Sequence, residues 1–108
     1  MASSTLRVVS PVDGSTYVER ELASGQQIEN ALAKAARAQK AWQGTPLDQR
    51  AAICSAAVDA FVAQSETHVD ELAWQMGRPV RFGKGEVGGF TERSRYMIDI
   101  ASQALAPI

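Results

Sequence analysis

Apolar residues recur every three or four positions over most of this chain, and this spacing predicts a mainly helical fold. Only the N-terminal segment departs from it. There, "RVV" and "STYVERELA" are rich in β-forming residues and flank Asp13-Gly14, a strong turn signal. Pro11 and the charges of the second run are typical of an edge strand rather than a central one. We therefore expect a β-hairpin over residues 7–22.

The first helix is predicted over residues 24–43, an alanine-rich segment. Ser24 and Gln27 have the spacing of a capping box, and Gly44 is expected to end the helix. Its apolar residues lie on one stripe, which predicts a face that packs against another element. This stripe contains Ile28, Ala31, Leu32, Ala35, Ala38 and Trp42.

A pair of helices with a kink near Ser65 is predicted over residues 45–76. Thr45 is expected to cap the first of them, and Asp48 lies in its positively polarised first turn. Ser65 is expected to cap a renewed turn, and Gly77 stops the pair. Their expected apolar positions are Cys54, Ala57, Val58, Phe61, Val62, Val69, Leu72, Ala73 and Met76.

The last helix is predicted over residues 86–106, after the glycine-rich segment "FGKGEVGG". Gly83, Gly85 and Gly88 have the spacing of a dinucleotide-binding turn, but such a turn follows a buried strand and precedes an acid by about 20 residues. Here a helix end and a proline come before the glycines, and residues 100–108 contain no acid. The segment is therefore interpreted as a helix–helix connection. The apolar repeat that follows contains Val87, Phe90, Met97, Ile98, Ile100, Ala101 and Leu105.

Length and composition narrow the possible functions. The chain has 108 residues, enough for one domain or part of one. Its 11 basic and 12 acidic side chains form no basic block, so a nucleic-acid partner is not expected. It has no signal-peptide pattern and no apolar run of membrane-spanning length, so no membrane partner is expected. A single cysteine excludes an internal disulfide and fits the reducing cytoplasm.

No catalytic, cofactor-binding or metal site is predicted from the residues. Cys54 lies mid-helix with no activating neighbour in sequence and is expected to be a packed structural thiol. His68, the sole histidine, is expected on a solvated helix face. Glu86 is expected to serve the start of the last helix as a cap or dipole partner. Arg78 and Arg81 are expected to pair with acids or helix carbonyls rather than with phosphate. The remaining candidates are interpreted as surface charge (Asp70, Glu71 and Glu92) or as packing at helix ends (Trp42 and Trp74).

Four stretches, taken in order, resemble the N-terminal segment of the aldehyde dehydrogenase superfamily. "VVSPVDGSTYVERELAS" resembles its opening hairpin and "IENALAKAARAQKAW" its first helix. "TPLDQRAAICSAAVDAFVAQSETHVDELAWQMGRP" resembles the next helix pair. "GEVGGFTERSRYMIDIASQAL" resembles the helix after it, with Glu86 at a recurrent acid. The resemblance covers residues 8–106. It departs from the family at Gln75 and Arg78, where Glu and Lys are usual.

This resemblance implies that the chain, residues 1–108, is the outer helical layer of an α/β, Rossmann-like cofactor domain. The full-length family oxidises aldehydes to carboxylic acids with NAD or NADP, through residues beyond position 108. Cys54 does not match its catalytic cysteine. The chain by itself is thus expected to be inactive and to bind no cofactor. Its expected partner is the rest of the dehydrogenase or a second copy, through apolar helix faces. Self-association is expected through the apolar stripes of the helices predicted over residues 45–76 and 86–106.

A stand-alone helical interaction or oligomerisation module is the alternative. A small enzyme in its own right is a third possibility, but no constellation of residues supports it.

Overall fold

The computed structural model describes residues 4–107 of the chain. A two-stranded antiparallel hairpin comes first and helices make up most of the remainder, which confirms the predicted fold class. The elements are β1 (Thr5–Val9), β2 (Thr16–Glu21), α1 (Gly25–Gln43), α2 (Leu47–Ala63), α3 (Ser65–Met76), α4 (Val80–Asp99) and α5 (Ala101–Ala104).

The hairpin has one defined register along its length. Thr5 pairs with Glu21 and Val8 with Val18, and an irregularity follows between Val8 and Val9. Pairing therefore starts at Thr5, slightly before the expected residue 7. Apart from Thr5, only Val8 and Val18 in these strands are even half-buried, as expected for a ribbon with one wet face.

The turn of the hairpin forms where Asp13-Gly14 predicted it. Gly14 has φ of 76°, a left-handed conformation that glycine adopts without steric cost. The Asp13 carboxylate accepts hydrogen bonds from the Ser15 backbone N–H at 2.9 Å and from its hydroxyl at 2.7 Å. The turn is thus fixed by local chemistry alone, which explains why the sequence predicts it well.

Helix α1 begins with the predicted capping box. The Gln27 backbone N–H donates to Ser24 Oγ at 3.2 Å, and the Ser24 N–H donates to Gln27 Oε1 at 2.7 Å. The helix ends at Gln43, before Gly44. Yet none of its residues is buried, so most of the predicted apolar stripe stays exposed within the described chain.

The predicted helix pair forms with its break at Gln64, next to the expected position. Both predicted caps are wrong. Thr45 does not cap α2, because its hydroxyl donates backwards to the Ala41 carbonyl at 3.4 Å and Pro46 occupies the N-cap. Ser65 is the first residue of α3, and its hydroxyl donates to the Val62 carbonyl of α2. Each hydroxyl thus binds a carbonyl of the preceding helix instead of the amides that follow it.

The predicted glycine-rich connection is also wrong, because α4 starts at Val80, directly after Pro79, and contains the glycines. The preceding helix end and proline suggested a connection, and each glycine inside a helix costs about 1 kcal/mol relative to alanine. Packing overrides it: Gly83 lies so close to α3 that a Cβ there would be 2.6 Å from Val69 Cγ1. The helix is also not continuous to residue 106, since it ends at Asp99 and α5 follows as a separate turn.

The buried core is small and lies where α2, α3 and α4 meet. Its apolar members are Val58, Val69 and Val87, which are 5%, 6% and 7% exposed. One residue from each helix contributes, so these helices hold one another together. Among the predicted apolar positions, only these three valines are buried within the described chain.

The chain is more extended than its length requires. Its radius of gyration is 18.5 Å, against about 13 Å for a compact domain of this size. Its accessible surface is 8650 Å², against about 5,800 Å² for a folded monomer of the same mass. The difference, on the order of 3,000 Å², is surface that a compact fold would cover.

Candidate functional site

The glycine-rich segment does not form a phosphate-binding turn. In such a turn the glycines connect a strand to a helix N-terminus, so that free N–H groups meet the phosphates. Here α3 ends at Met76 and Gly83 is already inside α4. The close approach that Gly83 permits is to the Val69 side chain, not to a ligand. The segment therefore does not fit a dinucleotide phosphate.

His68 does not lie on a solvated face, contrary to expectation. Its ring stacks on Phe61, with centroids 4.0 Å apart and planes 17° apart. Phe61 in turn contacts Phe90 of α4 at 4.3 Å. His68 Nε2 is buried and has no hydrogen-bond partner among the described residues. The residues around His68 are polar, so the sequence did not reveal this contact of α3 with α2.

A cavity of about 260 Å³ opens beside this aromatic contact. Apolar side chains form most of its wall, and carboxylates stand at its edge. One of these, Glu86, is ion-paired with Arg78 at 2.6 Å. The lining residues are Phe61, His68, Glu71, Leu72, Gln75, Met76, Glu86 and Val87.

The structure gives Glu86 and the arginines structural roles. Glu86 lies within α4 rather than at its start, so the predicted cap or dipole role is wrong. Arg78 pairs with this acid, as predicted. Arg78 and Arg81 also lie over the Phe82 ring, at 5.3 and 4.7 Å from its centroid. Both arginines thus stabilise the first turns of α4.

No constellation for metal binding forms within residues 4–107, where no cluster of three or more His, Cys, Asp or Glu side chains occurs. Cys54 is exposed on α2 rather than packed in a core, which corrects the expected structural burial. Trp42 and Trp74 are 40% and 41% exposed, so they lie at the rim rather than in the core.

Sequence reasoning missed the role of Ser10, which is 1% exposed. Its hydroxyl donates to the Trp74 carbonyl of α3 at 2.6 Å and accepts from the Val12 N–H at 3.2 Å. This bond connects the hairpin to the helices. A second contact lies beside it, since a Cβ on Gly77 would come within 3.0 Å of Pro11. In the sequence, Ser10 and Pro11 indicate only the end of a strand, and nothing near them indicates a contact with Trp74 or Gly77.

Sequence reasoning also missed Arg50. The Nε of this α2 residue is buried, and no described residue accepts its hydrogen. Arg50 lines a groove of about 250 Å³ at the junction of α1, α2, α4 and α5. We call this cavity the Arg50 groove; besides two alanines, its lining residues are Trp42, Leu47, Arg50, Cys54, Met97, Ile98 and Leu105.

Large apolar side chains are exposed well beyond this groove. In α1, Ile28 is 49% and Leu32 is 60% exposed; in α4, Val80 is 59% and Tyr96 is 60% exposed. Scattered apolar residues are normal on a protein surface, but a contiguous apolar face indicates an interaction surface. Within residues 4–107, no helix is both long and apolar enough to cross a membrane.

Comparison with known proteins agrees with this arrangement. The model of the aldehyde dehydrogenase family matches residues 1–107. A curated relative, the 3,6-anhydro-alpha-L-galactose dehydrogenase of Streptomyces coelicolor, is 32% identical over 89 residues, which cover 79% of this chain. The match spans only 17% of that relative's length. The chain belongs to the aldehyde dehydrogenase family and corresponds to an N-terminal segment of it.

Proposed function

We propose that this chain is the N-terminal outer layer of the cofactor-binding domain of an NAD(P)-dependent aldehyde dehydrogenase. The observation that carries the proposal is the uncovered apolar surface. Helix α1 is capped at its start but buries no residue. The accessible surface of the chain exceeds that of a compact fold of the same mass by about 3,000 Å². That excess is in the range that obligate interfaces bury.

In this proposal the chain supports catalysis but does not perform it. The glycine-rich segment lies inside α4, and Gly83 approaches the Val69 side chain, so this segment offers the cofactor phosphates no turn at a helix N-terminus. The isolated chain is therefore expected neither to oxidise aldehydes nor to hold NAD or NADP. A cytoplasmic location, which the single cysteine suggests, stays a prediction.

Calorimetry tests this directly. NAD and NADP are titrated separately into the purified chain, and no binding heat is expected from either. An assay of NADH or NADPH formation with small aldehydes runs in parallel and is expected to give no signal. Tight binding of either cofactor, or turnover, would overturn the proposal.

The partner surface is tested by self-association. An apolar face that lacks its usual partner is expected to pair with a second copy, so the isolated chain should associate as its concentration rises. Leu32→Glu places a charge on the exposed stripe of α1 and should shift association to higher concentrations. Lys34→Glu, on the same helix, is the matched control for an added acid. A monomer at all concentrations by light scattering would contradict the proposed surface.

A stand-alone interaction or oligomerisation module is the second candidate. The small core shared by α2, α3 and α4 favours it, because these helices already stabilise one another. Sequencing the gene beyond codon 108 separates the candidates. An in-frame continuation with a catalytic cysteine supports the dehydrogenase, whereas an immediate stop codon supports the module.

A further inference from the structure

The Arg50 groove combines an apolar wall with a charge that has no partner. Trp42, Met97 and Leu105 are 40%, 56% and 63% exposed, so the wall is open to a further element. None of the side chains that line the groove is acidic. An occupant of this groove would therefore need both apolar groups and a hydrogen-bond acceptor for Arg50.

Arg50 differs from Arg78 and Arg95 because its guanidinium has no carboxylate partner among the described residues. Arg78 and Arg95 each pair with a carboxylate at 2.6 Å, to Glu86 and Asp59 respectively. The Nε of Arg50, by contrast, is shielded from solvent and has no acceptor among the described residues. Arginine stays charged at neutral pH and presents a planar fork of donors that matches a carboxylate. The shielded Nε is out of reach of an added group, so a docking carboxylate would pair with the atoms of Arg50 that line the groove.

We propose that the Arg50 groove docks an apolar segment of the rest of the dehydrogenase whose acidic side chain pairs with Arg50. This inference rests on the proposed function, since the segment belongs to the same enzyme. The apolar neighbours of the acid cover Trp42, Met97 and Leu105. The carboxylate meets the open edge of the guanidinium, where the pair is shielded from water by the same apolar wall. Arg50 is thus a positioning residue for the domain, not a catalytic one.

Cys54 provides a natural reporter for this groove. It is the only cysteine of the chain, it is exposed, and it lines the groove. Its rate of modification by N-ethylmaleimide, followed by mass spectrometry, therefore reports whether the groove is covered. Octanoate serves as the probe, since it carries a carboxylate on an apolar arm; octanol has a similar arm without the charge.

In the isolated chain, octanoate is expected to protect Cys54 at concentrations roughly tenfold lower than octanol, the factor expected for one charge-assisted hydrogen bond. Arg50→Gln should abolish this preference. Arg50→Lys keeps the charge but loses the planar fork of donors, so this variant should retain only part of the preference for octanoate. Arg37→Gln removes an exposed arginine of α1 and should leave the preference intact. Equal protection by octanol, or full preference in R50Q, would overturn the proposal, as would an absence of protection by either compound.

The same Cys54 modification assay on the longer dehydrogenase that the proposed function implies would identify the source of the carboxylate. If a segment of the enzyme fills the groove, Cys54 is protected there without any added compound, and R50Q restores part of its reactivity. If Cys54 of the longer enzyme stays as reactive as in the isolated chain, the groove takes free carboxylates only and the docking proposal is wrong. The octanoate arm needs no dehydrogenase activity, so its failure is distinct from failure of the proposed function.

Discussion

Replacement of Gly83 by alanine tests the helix contact on which this fold depends. The new Cβ would lie 2.6 Å from Val69 Cγ1, 2.9 Å from its Cγ2 and 3.1 Å from its Cβ. Favourable carbon contacts occur at about 3.5–4.0 Å, so α3 and α4 would need to separate by about 1 Å. Rotation of the Val69 side chain gives only partial relief, because it can move a methyl group away but leaves the Cβ at 3.1 Å.

Two effects of opposite sign determine the free energy of unfolding of Gly83→Ala. Alanine is favoured over glycine inside a helix by about 1 kcal/mol. Overpacking of a close contact costs about 1–3 kcal/mol, and the rigid Val69 places this case near the upper limit. We therefore expect a net loss of about 1–2 kcal/mol, measured by urea unfolding followed by far-UV circular dichroism.

Gly85→Ala is the matched control, because nothing lies within 4 Å of a Cβ at that position of the same helix. It should gain up to about 1 kcal/mol from helix propensity alone. In a Val69→Ala background the methyl groups that obstruct position 83 are absent, so Gly83→Ala should become close to neutral or stabilising. Equal stabilisation by Gly83→Ala and Gly85→Ala in the parent chain would refute the contact and the placement of α4 against α3.

Three further substitutions test local contacts. Ser10→Ala leaves the buried Trp74 carbonyl without its donor and should cost about 1–2 kcal/mol in urea unfolding, whereas a cost near zero would contradict the connection between hairpin and helices. Hydrogen bonds from Ser15, first from its hydroxyl and then from its backbone N–H, lower the pKa of Asp13 below its ordinary value of 3.8. The stabilisation from this carboxylate is present above that ordinary pKa and is lost as the pH falls through the lower, folded value. Ser15→Ala should therefore raise the Asp13 pKa in an NMR titration, and an unchanged pKa would contradict the turn geometry. Glu86→Gln breaks an ion pair that is about half exposed and should cost at most about 1 kcal/mol; a larger loss, or one that salt does not reduce, would contradict this surface role.

The elements that the sequence predicts well are those specified by neighbouring residues. The Asp13-Gly14 turn and the Ser24 capping box need only groups within a few positions along the chain, and both form as expected. The glycine-rich segment was mispredicted because its local preference opposes the packing. Gly83 is unfavourable for a helix by itself, but the side chain of Val69 from α3 requires a residue without a Cβ there. Such a requirement is visible only when both helices are in place.

The same reasoning explains which site residues were missed. Ser10 binds a carbonyl 64 positions away, and no local pattern announces a contact of that range. Arg50 lies in an ordinary helical segment, and its unpaired state depends on which side chains of α4 and α5 surround it. His68 follows polar residues, yet Phe61 covers one face of its ring. In each case the residue type was compatible with a solvated surface, and only the tertiary neighbours changed its role.

The two parts of the helical layer draw their stability from different sources. Helices α2, α3 and α4 share the buried valines, so their packing is internal to the chain. Helix α1 has a good cap and an alanine-rich sequence, but it buries no residue here, and helices in proteins gain most of their stability from packing of an apolar face. A helix with an apolar stripe and no internal partner gains its stability from whatever covers that stripe. Under the proposed function, the rest of a dehydrogenase would supply that cover, and the Arg50 groove beside the end of α1 would take an apolar segment with an acid. The apolar surface that is exposed in the isolated chain would thus be the surface that packs against the rest of the enzyme.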